Sequence, residues 1–212
     1  MASEAKEWDN YWTSKTKNRL FKIFRTQIFA RAVKYYTDKY FLKEGTFVEA
    51  GCGSGQTSIR INKYKRKLIA LDISQKALDR AKENKKFDEY ILGDITKLPF
   101  KDSSIDGLWN LGVMEHFTDE ELPDVINEIY RVLKPNGTAI IFWATEITHY
   151  KVCLNTYNKF FKKNIQLFPN EPTRLTSKKH ASSVMSRTKF KNCKIFYSWR
   201  DLFTDIVIVA KK

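Results

Sequence analysis

The sequence predicts an α/β fold, a largely parallel sheet covered by helices on both faces. Two observations carry this. From Gly45 onward, short apolar runs alternate with helix-like stretches, the pattern of repeated strand–helix–strand units. The last two apolar runs are separated only by Arg200, Asp201 and Leu202, a link that permits only an antiparallel hairpin.

The elements follow in order. Residues 18–42 place Leu20, Phe21, Phe24, Ile28, Phe29, Ala32, Val33 and Tyr36 at helical spacing, so this segment is an amphipathic helix. Strands are expected at Phe47 to Ala50, Leu68 to Leu71, Tyr90 to Leu92, Ile105 to Asn110 and Thr138 to Trp143. Helices are expected near 56–63, 74–86 and 119–133, the last stopped by Pro135 and Gly137. A helix near 177–187, capped by Thr176 or Ser177, precedes the closing strands Lys194 to Trp199 and Phe203 to Ala210. Segment 146–176 falls at the carboxyl ends of the strands, where open α/β sheets bind ligands, and reads as a substrate lid or as a packing helix.

With 212 residues, the chain is read as a single domain. Its parts are an N-terminal helical cap (1–44), a cofactor-binding core (45–145), the lid (146–176) and a helix with the closing hairpin (177–212). Cys52, Cys153 and Cys193 are odd in number and far apart, which argues against a disulfide framework and for a reducing cytoplasm. No window approaches a transmembrane span. The net charge of +14 is uneven: +5 over 1–44, −2 over 45–150 and +11 over 151–212. Such a basic face attracts nucleic acid, anionic lipid or an acidic substrate. Because 28 of the 38 cationic residues are Lys, and Ile, Asn, Phe and Tyr are also abundant, the favoured reading is a compositional bias with a generally solvated surface.

"VEAGCGSGQTS" follows the first strand. Its Gly51, Gly53 and Gly55 miss the G-x-G-x-x-G spacing because position 56 is Gln56, and no Walker lysine follows. Glycines there still let a ligand approach the backbone. Glu49 at the start would repel a pyrophosphate but suits a ligand bearing an ammonium. Asp72, at the tip of the second strand, is placed to accept from ribose hydroxyls, and Asp94, at the tip of the third, from an adenine amino group. Ile73 and Ile95 follow these aspartates and can sandwich a flat base. Singly, an Asp at a strand end is usually a turn or cap residue.

Together with "LDIS", "GDITKLPFKDSSID" and "RVLKPNGTAIIF", these pieces resemble the class I S-adenosylmethionine-dependent methyltransferases, in the broad type 11 group similar to enzymes that methylate quinone precursors. The resemblance covers residues 46–145. It implies a Rossmann-like seven-stranded mixed sheet of order 3-2-1-4-5-7-6, the last strand antiparallel, with helices on both faces. It also implies S-adenosylmethionine as cofactor and S-adenosylhomocysteine as product. Glu49, Gly51 and Gly53 would hold the methionine portion, Asp72 the ribose, and Asp94 with Ile95 the adenine, while Asn110 would offer its backbone near the sulfonium. In similar enzymes the N-terminal helix closes over the cofactor, which would bring Tyr11 or Trp12 against it. An aromatic face beside a positive sulfur is favourable by roughly 0.5–2 kcal/mol.

Methyl transfer needs alignment of the reactants and exclusion of water, with a base where the acceptor must lose a proton. The candidate is His116, which ends the fourth strand's extension just before a capping box formed by Thr118 and Glu121. A helix N-terminus disfavours imidazolium, so the expected ring is neutral. Glu115–His116 also resembles the metal-binding pair of ubiquinone-type O-methyltransferases. Gly112 stands where that subgroup has a further acidic ligand, so no metal site is expected. The acceptor is expected to be small or medium-sized. The alternatives are an RNA methyltransferase that uses the basic C-terminal third, and a cofactor-binding protein without catalysis.

Overall fold

The computed structural model describes residues 2–14, 22–145 and 173–212; Leu20, Phe21, Cys153 and residues 146–172 of the expected lid lie outside them. At its centre is a seven-stranded sheet of order β3-β2-β1-β4-β5-β7-β6. The strands are β1 (Glu44–Ala50), β2 (Lys65–Asp72), β3 (Glu89–Leu92), β4 (Ile105–Leu111), β5 (Leu133–Ala144), β6 (Asn192–Tyr197) and β7 (Asp205–Lys211). Strands β1 to β5 are parallel, and β7 runs antiparallel to both β5 and β6. Each apolar run of the sequence has therefore become a strand.

Side-chain alternation divides the core. Leu108 packs on one face with Val48, Ile69, Ile141 and Ile208, beneath α4 (Leu122–Val132) and α5 (Lys178–Ser186). Trp109 packs on the other with Phe47, Leu68, Ile140 and Val207, beneath α2 (Ala30–Tyr40) and α3 (Gln75–Glu83). Two faces of buried apolar side chains are what a parallel sheet requires, since neither side can be left to water. The C-terminal carbonyls of α2 are satisfied by buried Arg66, whose guanidinium donates to Thr37, Phe41 and Leu42 oxygens at 2.6–3.1 Å. Among the described residues, no helix is long and apolar enough to cross a membrane.

Four local expectations are corrected. The described part of the 18–42 helix enters through a π-helical turn, Phe24–Phe29, before becoming regular at Ala30. Residues 56–60 are successive tight turns rather than the start of a helix, with Ser58 N donating to Gly55 O and Ile61 N to Ser58 O. Gly55, Thr57, Ser58 and Ile59 are weak helix formers, and the two hydroxyls are engaged in tertiary hydrogen bonds. Helix α4 starts at Leu122, three residues late: the Thr118–Glu121 box closes (2.9 and 3.4 Å), but Pro123 has no amide to continue the first turn. Finally, the closing link spans 198–204, because the buried Asp201 side chain accepts from Thr204 N (3.1 Å) and draws the chain into a wider turn. Trp199 and Phe203, read as strand ends, lie on this turn.

Candidate functional site

β1 delivers the chain at Ala50 into the glycine loop, and the loop is fastened to the neighbouring strand: Gly51 N and Cys52 N both donate to Leu71 O at 2.8 and 3.0 Å. Gly51 and Gly53 have φ of +76° and +51°, a region that L side chains rarely adopt. Space forbids a side chain as well. A Cβ on Gly51 would lie 2.4 Å from Val113, and one on Gly53 2.7 Å from the Trp12 ring.

Three acidic or amide side chains sit at the carboxyl ends of β1, β2 and β4 around this loop. Glu49 is buried; its Oε1 accepts from Thr57 Oγ1 at 3.1 Å, and its Oε2 has no hydrogen-bond partner among the described residues. Burial pushes its pKa up to about 8, more than hydrogen bonds from Ser58 and Thr57 pull it down, so the carboxyl is protonated near neutrality. Asp72 is buried and bonded at both oxygens, Oδ2 to Gly53 N (2.7 Å) and Oδ1 to Ser74 N (2.9 Å). Burial raises it only to about 6, because those amides offset part of the desolvation. Asn110 is fully buried, and among the described residues neither its amide oxygen nor its nitrogen has a partner. Each unmet polar group of this kind costs about 1–3 kcal/mol, so two on one side chain mark a position shaped for something other than packing.

At the tip of β3 the two halves of the expectation diverge. Asp94 is half-buried and accepts from Thr96 N at 2.8 Å, the local turn bond that aspartates commonly make. Ile95 is buried in the core beside Leu98, whereas Ile73, after β2, is half-buried.

Helix α1 (Ala2–Ser14) lies over these strand ends. Its Asp9 Oδ1 accepts from Ser74 Oγ (2.5 Å) and Lys76 N (3.1 Å), placing a carboxylate at the N-terminus of α3, where the helix dipole favours it. Trp12 covers Gly53, under the guanidinium of Arg25 at 5.1 Å from its ring centre. Tyr11 packs edge-on to Trp8 and Trp12, at 5.6 and 5.2 Å.

His116 ends a 3-10 turn, Met114–His116, and meets Trp8 edge-on at 4.9 Å and 85°. Glu115 is buried beside it. Among the described residues, no three His, Cys, Asp or Glu side chains gather as a metal site. The sequence reading passed over the roles of Asp9 and Trp8. The signal was present as the spacing 8, 9, 12, one stripe of a helix, but nothing in a lone N-terminal helix says which strand ends it will meet.

Residues 48–141 match the family described as "Methyltransferase domain". A malonyl-[acyl-carrier protein] O-methyltransferase of Erwinia pyrifoliae is 41% identical over 100 residues, 47% of this chain and 37% of that one. An uncharacterized methyltransferase of Schizosaccharomyces pombe is 29% identical over 170 residues, covering 74% of this chain and 66% of its own. The chain spans little more than a third of the length of the malonyl-carrier relatives that it matches. A solved structure of magnesium protoporphyrin IX methyltransferase from Synechocystis with bound SAH shares the fold, with a TM-score of 0.64 at 17% identity over 99% of this chain and 94% of that one. The sheet order, the glycine loop and the matched segment agree: the chain has the fold of the class I methyltransferases, and residues 48–141, somewhat under half of it, match the methyltransferase-domain family.

Proposed function

We propose that this chain transfers the methyl group of S-adenosylmethionine to a small or medium-sized acceptor by in-line displacement. The observation that carries the reading is the set of buried polar groups around the glycine loop: Glu49 Oε2 and both side-chain atoms of Asn110 hold unused hydrogen-bonding capacity. They fit a ligand that brings an ammonium, a carboxylate and two hydroxyls. Glu49 would face the ammonium, Gly51 and Gly53 would admit the methionine chain against the backbone, and Asp72 would take the ribose. Asn110 would line the sulfonium end, and Asp94, Ile73 and Ile95 would line the base. Tyr11 and Trp12 would close the site from α1.

When bound, the cofactor supplies an electrophilic methyl group on a positive sulfur. The protein's part is to orient, to dry and, for an acceptor O–H or N–H, to take a proton. Trp8, Tyr11 and Trp12, packed edge to edge on α1, would exclude water from the strand ends. His116, held by Trp8 at the mouth of β4, is the candidate base. The names of the malonyl-carrier relatives support an acceptor bearing an acidic or carbonyl-activated group. The same reading treats 1–44 as the cap, 45–145 as the cofactor core, 146–176 as the acceptor wall and 177–212 as the closing unit, in a cytoplasmic setting consistent with the free Cys52 and Cys193.

The test is incorporation of labelled methyl into cell extract separated into small molecules, protein and RNA. Label is expected in the small-molecule or carrier-protein fraction. His116→Ala is then expected to lower turnover about 10²–10⁴-fold while cofactor affinity stays within about twofold. Equal losses in both would assign His116 a structural role.

A further inference from the structure

The turn between β6 and β7 exposes large apolar side chains where a soluble surface gains nothing from them. Trp199 is 59% exposed, Phe203 54% and Leu202 48%. Leu202 and Phe203 also have φ of +62° and +60°, a left-handed conformation that Asn or Gly adopts at far lower cost. The turn does not collapse to hide them, because Asp201, buried beneath it, accepts from Thr204 N (3.1 Å), while Phe203 N is bound to Ser198 O (2.8 Å). The outward display is therefore held from below.

A cation stands at the base of the same turn, and others line the groove beside it, where Lys34 is paired with Asp38. Arg200 lies between the rings of Tyr35 and Trp199, at 3.9 and 4.1 Å, which fixes Trp199 in place and leaves a guanidinium at its base. Beside it, an open groove of about 550 Å³ is lined by Arg31, Lys34, Lys39 and Arg200, with Tyr35 and a single carboxylate, Asp38. The turn stands at the carboxyl edge of the sheet, since Asp205 pairs with Ala144 and Thr145 N donates to Thr204 O. It is thus on the edge of the molecule that carries the candidate site, but uses none of the site's residues.

We propose that the β6–β7 turn and the adjoining face of α2 form a docking surface for an anionic lipid bilayer. A convex tip of three side chains is too small for a stable protein partner, which needs roughly 800 Å² on each side. It is suited to a fluid interface, where Trp, Leu and Phe enter the headgroup–acyl boundary and cations meet lipid phosphates. A second copy of this chain is disfavoured as the occupant, because it would bring the same four cations against these and carries +14 overall. Docking in this way turns the carboxyl ends of the parallel strands toward the membrane surface.

The test is co-sedimentation of the full chain with phosphatidylcholine vesicles, with and without about 30% phosphatidylglycerol. Binding is expected only to the anionic vesicles and should weaken as salt is raised. Leu202→Asn/Phe203→Asn suits the left-handed backbone, so it should keep the melting temperature while lowering vesicle affinity at least tenfold. Arg31→Glu/Lys39→Glu, at exposed positions, should lower it likewise. Equal affinity for neutral vesicles, or full binding by the Asn variant, would overturn the proposal. So would wild-type dimers that the Asn variant dissolves, or binding to single-stranded RNA without binding to vesicles. None of these readouts requires cofactor or turnover, so they stand or fall apart from the proposed methyl transfer.

Discussion

Replacing Glu49 by Gln is expected to uncouple cofactor binding from pH. With its pKa near 8, about nine-tenths of the free chain holds Glu49 protonated at pH 7. An ammonium beside Glu49 favours the carboxylate, so binding should eject close to one proton, and affinity should rise nearly tenfold per pH unit below 8. Asp72, at about 6, is already ionised and adds little. Calorimetry of S-adenosylmethionine binding in buffers of different ionisation heat reads the proton directly. The wild type should release nearly one proton and Glu49→Gln none from this position, with an affinity loss near pH 9 of about 1.5–3 kcal/mol. Stability should move the other way. A carboxylate whose pKa is higher folded than unfolded keeps a proton that the unfolded chain has released. The wild type therefore loses stability as pH rises from about 4.5 to about 8, and the Gln variant escapes that part of the decline. A wild type that releases no proton on binding would show that Glu49 does not face the ammonium.

Asp72→Ala is the second large effect. The carboxylate has two tasks, fastening Gly53 N and Ser74 N and presenting acceptors to the ribose, and Ala removes both. Cofactor affinity is expected to fall by about 3 kcal/mol, roughly a hundredfold, and by about tenfold in Asp72→Asn, which keeps one acceptor oxygen. The folded Asp72 pKa lies above its unfolded value, so ionisation costs stability between about pH 4 and 6. Asp72→Asn should therefore melt no lower than the wild type at pH 8. Unchanged affinity in both variants would remove Asp72 from the site.

What could be read in the sequence follows from what local physics determines. The strands show as apolar runs, most clearly the central ones, where burial on both faces of the sheet favours apolar side chains. Glu49, Asp72 and Asn110 could be placed because each ends such a run. The sheet order could not be read from spacing: it depends on crossover choices and entered through the family resemblance. The helix expected at 56–63 does not form for a different reason, since Thr57 and Ser58 bond to Glu49 and Trp109, partners that tertiary structure alone supplies. The β6–β7 turn was drawn too short because Asp201 reads as an ordinary link residue until its burial and its bond to Thr204 are seen. Trp8 and Asp9 act through elements more than sixty residues away, contacts on which helical periodicity is silent.

The most direct measurement of the central claim is amide hydrogen exchange on the full chain, with and without S-adenosylmethionine. Slower exchange on adding cofactor is expected at residues 51–55, 72–74 and 110–113 and in α1, which covers them. Exchange that is unchanged there, or slowed only at the α2 groove and the β6–β7 turn, would contradict the site.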